Sequence, residues 1–455
     1  MAAEEADVIV VGMGPGGEHA AGRLAQAGLE VIAVEARLVG GECPYWGCVP
    51  TKMMVRAADL LAEGRRIPGM AGDATVTADW SQVARRIREE ATDSWDDRAA
   101  VERFTRTGGR LIRGYGRITA PGEVTVDGRV LRARRGILIN TGTEPNIPPI
   151  DGLAGTPMWT NREAVEAKAA PGSLVVLGGG AIGTEMAQAF VRFRTQVTVV
   201  ESRDRLLAVE EPEACDLLRT VLEREGVTVR TGARAVAVRH DETHGFTVEL
   251  EGGERVHGEA LLVAVGRRTR LRDLGVGAIG LDEDARFIET DPWMRAADGV
   301  WAIGDVTGKG AFTHVSMYQA DVAVRDILGQ GGPPADYRAV PRVTFTDPEI
   351  GAVGLTEAQA RERGITVRTG MTRIPDSSRG WIHGPGNEGF IKLIEDADRG
   401  VLVGATSAGP SGGEVLGALA VAVHGEVPVD RLHHMIYAYP TFHRAVQSAV
   451  ADLRS

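Results

Sequence analysis

The sequence predicts an α/β chain of two dinucleotide-binding modules followed by a separate α+β unit. Three observations carry that prediction. A glycine-rich turn joins a strand to a helix near the N terminus, the same pattern recurs in the middle of the chain, and the periodicity changes beyond about residue 335. At 455 residues the chain exceeds one ordinary core, and its length suits about three domains.

The first module opens with Val8 to Val11, a β-branched run that breaks into Gly12-Met13-Gly14-Pro15-Gly16-Gly17 and continues as a helix through Ala25. A second strand, Val31 to Val34, ends on Glu35, where an acid can bond a ribose 2′-hydroxyl. The second module repeats this Rossmann-like order. Leu174 to Leu177 leads into Gly178-Gly179-Gly180-Ala181-Ile182-Gly183, a helix runs through Phe190, and Val197 to Val200 ends on Glu201. From first glycine to acid is 23 positions in both, Gly12 to Glu35 and Gly178 to Glu201. In each module the first glycine makes the turn, the second (Gly14, Gly180) lets amides reach a pyrophosphate, and the third (Gly17, Gly183) lets helix and strand pack closely. Two dinucleotides in one chain imply electron transfer between two cofactors.

Between the modules, Glu123 to Val126 before Asp127-Gly128 predicts a hairpin that returns to the first sheet. Beyond about residue 335, Pro341 to Thr346 and Gly389 to Ile394 alternate like strands, with helical stretches near 356–364, 413–424 and 428–436.

The chain carries 51 basic and 62 acidic residues, a net charge of −11, and no long basic run, so nucleic acid is not an expected partner. The stretch MAAEEADVIVVG is acidic where a secretory signal is basic, and its apolar run is too short for a membrane span. A cytosolic protein is expected. Its three cysteines, Cys43, Cys48 and Cys215, are too few for a disulfide scaffold, so the two that lie five positions apart suggest catalysis or metal binding. Four intervening residues let two sulfurs meet in a short distorted turn, and a helix starting near Pro50 would favour a thiolate. With no second pair, a zinc site is the weaker reading, and Cys215 reads as core.

The segment from Gly40 to Lys52, the first fingerprint, Thr141-Gly142-Thr143, the run Gly178 to Glu185, Trp301 to Val306 and Phe345 to Gly351 together resemble class I pyridine nucleotide–disulfide oxidoreductases. The resemblance runs nearly end to end. It implies an FAD-binding domain from residues 1–150 and 270–335, a nicotinamide domain at 151–269, and a dimerisation domain at 336–455 that builds a homodimer. FAD would contact Gly12, Gly14, Gly17, Glu35, Lys52, Thr141, Gly142 and Asp305, the last through a ribityl hydroxyl. The nicotinamide cofactor would use Gly178, Gly180, Gly183 and Glu201. Glu201 favours NADH by repelling a 2′-phosphate, although Arg203 and Arg205 just beyond leave NADPH open. Cys48 would be the thiolate stacked on flavin, Cys43 the exposed thiol that attacks substrate, and Lys52 would pair with Glu185 beside the flavin. No resident metal is implied.

One departure bears on the reaction. Where disulfide reductases of this family read His-x-His-Pro-Thr, with a glutamate shortly after, this chain reads Tyr437-Ala438-Tyr439-Pro440-Thr441, and Arg444 takes the glutamate's place. Tyr439 therefore stands where the acid–base histidine is expected, with His443 as a second candidate acid. Glutathione and dihydrolipoamide become weaker substrate readings, and mercuric ion lacks the C-terminal cysteine pair it would need. The expected acceptor is a small disulfide. A metal ion or oxidised electrophile at the thiols, a quinone or dioxygen at the flavin, and a non-enzymatic cofactor-binding scaffold stand as alternatives.

Overall fold

The run Val8 to Val11 is at most 3% exposed, and a strand so apolar on both faces needs strands beside it and helices above and below. In the structure, a computed structural model that describes residues 3–454, it becomes β1 (Glu4–Val11). Met1 and Ala2, where the acidic N-terminal stretch begins, lie outside the described residues. The chain divides into two units.

The first unit comprises Met1–Pro50, Arg85–Asn146 and Arg267–Asp336. Here β1 pairs in parallel with β2 (Val31–Glu35) on one side and with the strand Arg129–Ile139 on the other. The sheet continues outward to Arg110–Arg113 at one edge and through Val300–Ala302 to Arg295–Ala297 at the other. The helix α1 (Pro15–Gln26) follows the first glycine turn as expected. The expected hairpin is present too. Glu123–Val126 pairs antiparallel with Arg129–Ile139, and Asp127 and Gly128 both take positive φ, as a two-residue hairpin turn matching the strand twist requires. Ile9, Ile32, Ile137 and Val300 belong to the apolar cluster beneath this sheet.

The cysteine segment forms α2 (Glu42–Tyr45), a single turn, and then α3 (Cys48–Arg66). The expected helix therefore begins at Cys48 itself, two residues before Pro50.

The second unit comprises Thr51–Ala84, Ile147–Gly266 and Tyr337–Ser455. Its parallel sheet runs Thr228–Arg230, Gln196–Val200, Ser173–Leu177, Ala260–Val263, with the helix Ala181–Arg192 after the second glycine turn. A three-stranded antiparallel sheet, Ala235–Asp241, Gly245–Leu250 and Arg255–Gly258, adds Val238, Phe246 and Val248 to the core under Val175 and Leu177. The C-terminal stretch is the expected α+β unit. Its five strands run Pro341–Thr344, Glu349–Gly354, Val401–Gly409, Phe390–Asp396, Val367–Arg373, all antiparallel. Helices Gly412–His424 and Ala445–Asp452 bury Leu416, Leu419 and Val446 against it. Among the described residues no helix is long and apolar enough to cross a membrane.

The strand Phe390–Asp396 is buried throughout, Lys392 included. Its ammonium contacts Glu211 at 2.9 Å, Glu213 at 2.7 Å and Glu357 at 2.9 Å. Burial disfavours that charge, but the three carboxylates outweigh it and hold the lysine above its ordinary range. Removing the cation leaves Glu211, itself 2% exposed, without a counter-charge. Lys392→Met should therefore cost about 3–5 kcal/mol, read as a lower urea midpoint at unchanged slope. An unchanged midpoint would mean that water reaches the three carboxylates.

Candidate functional site

Each glycine turn is dictated by backbone contacts. Gly12 and Gly178 take φ of +93° and +107°, and a Cβ on either would stand 2.4 Å from a backbone oxygen, that of Asn140 or of Ala264. A Cβ on Gly17 would stand 2.1 Å from the Gly12 oxygen, and one on Gly183 would stand 2.0 Å from the Gly178 oxygen. The middle glycines differ. A Cβ on Gly180 would meet nothing within 4 Å, and one on Gly14 would meet only the Asn140 side chain, at 3.2 Å. The fold alone does not require glycine at position 180. Gly14 and Gly180 cap α1 and the helix Ala181–Arg192 in extended backbone with no side-chain cap, and because Pro15 opens α1 without an N–H, the donors of its first turn begin at Gly16. That is the geometry a pyrophosphate takes up.

The two acids repeat each other as closely as the glycines do. One oxygen of Glu35 accepts the Met13 amide at 2.7 Å and the other the Arg37 amide at 2.7 Å. Glu201 accepts Gly179 at 2.6 Å and Arg203 at 2.8 Å. Each carboxylate is thus fixed at the mouth of its glycine turn. Burial pushes the Glu35 carboxyl up, against the two amides that favour its charge.

Asp305 lies in a short 3-10 turn, Gly304–Thr307, and accepts the Thr143 hydroxyl at 2.8 Å. Burial raises its carboxyl, with the Thr143 bond opposing. Arg267 holds Thr143 through the hydroxyl at 2.8 Å and the carbonyl at 2.6 Å. Of the turn Thr141-Gly142-Thr143, it is thus the third residue that touches Asp305, while Gly142 turns the chain at φ +65° with open space beside it.

The cysteine loop rests on the first glycine turn. A Cβ on Gly41 would stand 2.8 Å from the Gly14 Cα, and the Gly40 amide donates to the Met13 carbonyl at 2.7 Å. Cys43 and Cys48 are both free thiols, the reduced form of the expected pair. They meet: Cys43 hydrogen-bonds Cys48, and that bond, then burial, holds the Cys43 thiol far above its ordinary range, with Thr313 opposing. The Cys48 sulfur lies 3.5 Å from the Thr313 hydroxyl, at the first residue of the helix Thr313–Ile327. Cys43, within α2, is half-buried, and Cys48, the first residue of α3, is exposed. Cys215 is buried, its thiol directed at the Leu207 and Glu211 carbonyls and pushed up to about 11 by burial, which fits a core residue.

In the second unit Lys52 and Glu185 meet at 2.5 Å. The other oxygen of Glu185 accepts the Phe345 amide at 2.9 Å, and the Lys52 ammonium lies 4.6 Å above the Phe345 ring. Two further residues of the same helix face extend this contact. Gln188 accepts the Asp347 amide at 2.7 Å, and Arg192 meets Asp347 at 2.8 Å, Asp59 at 2.6 Å and Glu225 at 2.6 Å.

Tyr439 is 67% exposed, with the Arg444 guanidinium 5.3 Å from its ring. His443 lies against the Tyr437 ring, its Nε2 buried without a hydrogen-bond partner among the described residues. Burial lowers its pKa, so at neutral pH it is uncharged. Thr313, Thr143 and Phe345 are the contacts that sequence reasoning missed. Thr313 lies 265 positions from Cys48, and only the fold joins them. Among the described residues no cluster of three or more histidine, cysteine or acidic side chains is arranged to hold a metal.

The family described as pyridine nucleotide-disulphide oxidoreductase matches residues 6–325, and its dimerisation domain matches residues 340–450. The chain is 34% identical to a dihydrolipoyl dehydrogenase of Chlorobaculum tepidum over 99% of its own length and 97% of the relative's. It is 35% identical to the dihydrolipoyl dehydrogenase of Thermus scotoductus, over 98% and 97%. Among solved structures it is similar to the Cu(II) complex of the HOCl-induced flavoprotein disulfide reductase RclA from Escherichia coli. The TM-score is 0.87 at 26% identity, over 99% of both chains.

The contrast between middle and last glycines gives a test. Gly183→Ala should destabilise the protein by about 1–3 kcal/mol, since its methyl group meets backbone. Gly180→Ala should change stability by less than about 0.5 kcal/mol yet weaken nicotinamide dinucleotide binding about tenfold or more. Thermal denaturation and a binding titration measure the two. Equal stability losses would contradict the distinction.

Proposed function

The chain belongs to the pyridine nucleotide-disulphide oxidoreductase family and is an FAD- and nicotinamide-dependent oxidoreductase; within that activity we propose that it carries electrons from NADH to a small disulfide through Cys43 and Cys48. Its dimerisation domain and its relatives point to a homodimer. The reading assigns residues 1–150 and 270–335 to FAD, 151–269 to the nicotinamide and 336–455 to the subunit interface. One observation carries it above the rest: two thiols in hydrogen-bond contact, in a loop packed directly on the first dinucleotide turn.

FAD, when bound, would supply the two-electron chemistry between the reduced nicotinamide and sulfur. The chain's own residues hold and protonate. The open amides after Gly14 and Gly180 take the two pyrophosphates, and Glu35 and Glu201 the two riboses, while Asp305, fixed by Thr143, takes a ribityl hydroxyl and Thr141 and Gly142 line the same cofactor. Lys52, one helical turn beyond Cys48 on α3, supplies positive charge beside the isoalloxazine, and Glu185 offsets the cost of burying it. The exposed Cys48 sulfur is the surface that the flavin would cover, which leaves Cys43 to face substrate. Cys43 remains protonated against Cys48, so it reacts once that bond opens.

The acid is proposed to be Tyr439. A departing thiolate needs a proton, which a phenol hydroxyl can donate. His443, held neutral by burial, is the poorer donor. A second reading takes Cu(II) as the electron acceptor at the thiols, favoured by the copper complex of the similar RclA. Alkylating the reduced enzyme with iodoacetamide abolishes turnover on either thiol acceptor, and a panel of disulfides against Cu(II) then separates them. Turnover with a quinone that survives alkylation would place the chemistry at the flavin instead.

Two outcomes are expected. Tyr439→Phe should slow re-oxidation of the dithiol by a disulfide about 10²-fold while leaving flavin reduction by NADH unchanged, in stopped-flow measurements of the two half-reactions. Re-oxidation at the wild-type rate would move the acid to His443 or favour an acceptor that takes no proton. NADH should give a higher kcat/KM than NADPH, and Glu201→Ala should narrow that preference about 10-fold or more, through the lost charge-assisted bond to the ribose. A preference for NADPH in the native enzyme would sink the assignment of Glu201.

A further inference from the structure

Three successive residues other than glycine, Asp93, Ser94 and Trp95, take left-handed backbone with φ of 46°, 58° and 58°. They follow directly on Thr92, which ends a π-helical turn, Ile87–Ala91. Both features cost free energy and persist only where surrounding contacts enforce them, commonly near functional sites. Here the contacts are visible. The Ser94 amide donates to the Arg88 carbonyl at 2.6 Å, and the buried Thr92 hydroxyl donates to the same carbonyl at 3.2 Å. The Trp95 amide donates to the Thr92 hydroxyl at 3.3 Å.

The turn delivers two groups to one place, the loop that carries the sulfurs. The Trp95 indole N–H donates to the Tyr45 carbonyl at 3.3 Å, and Tyr45 lies between Cys43 and Cys48. Two residues on, the buried Asp97 carboxylate accepts the Val39 amide at 2.7 Å, where the chain enters the loop. Arg113 pairs with that carboxylate and donates to the Arg37 carbonyl, which ties the entry from a third side. Tyr45 ends the single turn α2, whose last carbonyls have no partner within the turn.

We propose that Trp95 and Asp97 are positioning residues for the dithiol: the strained turn holds Val39 and Tyr45 so that the Cys43 and Cys48 sulfurs sit at bonding distance. This rests on the redox reading of those cysteines given above. A disulfide tolerates only a narrow range of separations and torsions, whereas two thiols tolerate many, so a loosened loop penalises the oxidised form more than the reduced one. Oxidation by glutathione disulfide balances simply: Cys43 and Cys48 give up two protons and two electrons and join, and the oxidant leaves as two glutathiones.

The test is a redox titration of the flavin-loaded enzyme in glutathione buffers, quenched by alkylation and read by mass spectrometry. Trp95→Phe keeps an aromatic ring and removes the N–H. It should shift the equilibrium about three- to tenfold towards the dithiol, a tenfold shift being about 30 mV. Asp97→Asn keeps an oxygen for Val39 but loses the charge on Arg113, and should shift it in the same direction, roughly two- to threefold. That variant carries the test should Trp95→Phe not fold. Trp301→Phe is the control, because it removes an indole bond of the same kind in the same unit, to Asp326 at 2.8 Å, and should leave the equilibrium unchanged. An equilibrium unmoved in both loop variants, or moved equally in Trp301→Phe, overturns the clamp. A wild-type enzyme that forms no Cys43–Cys48 bond across the titration overturns the redox reading itself.

Discussion

The contact on which the redox site depends is between two glycines that lack side chains. A helix can aim its first amides at a phosphate only if its first turn lies almost on the strand before it, and a Cβ on Gly17 would stand 2.1 Å from the Gly12 oxygen. Once that approach is made, the loop oxygens and amides are fixed in space. Glu35 is anchored to the Met13 amide, the Gly40 amide to the Met13 carbonyl, and Gly41 comes down on Gly14. The cysteine loop is thereby laid on the phosphate turn without any residue of its own having to reach for it. The second module makes the same contact between Gly183 and Gly178 and anchors Glu201 in the same way, but no dithiol follows it. On the proposed reading the repeat supplies two cofactor sites, and the segment after the first supplies the sulfur chemistry.

Buried charge is the second constraint. The helix Ala181–Arg192 places Glu185, Gln188 and Arg192 at intervals of three and four, hence on one face, and each meets the segment Phe345 to Asp347. Arg192 is 2% exposed and would be costly alone; Asp59, Glu225 and Asp347 around it more than offset its burial and hold its pKa above the ordinary value. The Lys52–Glu185 pair is thus one end of a charge ladder that runs along this helix face. Charges of this kind add specificity of register more than net stability, since both partners give up water to form them.

Much of this was legible from spacing alone. Equal distances from glycine to acid identified two modules, and the structure shows why: the acids are bonded back to their own turns, so the interval is a geometric length. What was not legible depends on contacts without local pattern. Thr313 approaches Cys48 from a distant helix, and Val367–Arg373, a polar edge strand, carries no apolar alternation to betray it. The left-handed turn at Asp93 to Trp95 has no glycine to mark it, because the surrounding hydrogen bonds, not local preference, hold it there.

These pieces bear together on the direction of electron flow. Oxidising an external dithiol demands a base to strip its protons, and reducing a disulfide demands an acid for each thiolate released. The inventory here is one-sided. Cys43 is held protonated by Cys48 and by burial, and its hydrogen bond to Cys48 must open before it attacks. The C-terminal segment offers an exposed phenol at Tyr439, with the Arg444 guanidinium over its ring. His443 is half-buried beside the Tyr437 ring, its Nε2 without a hydrogen-bond partner among the described residues, and burial disfavours a gained charge there. On the proposed reading, these groups fit electron flow from reduced nicotinamide towards an oxidised acceptor.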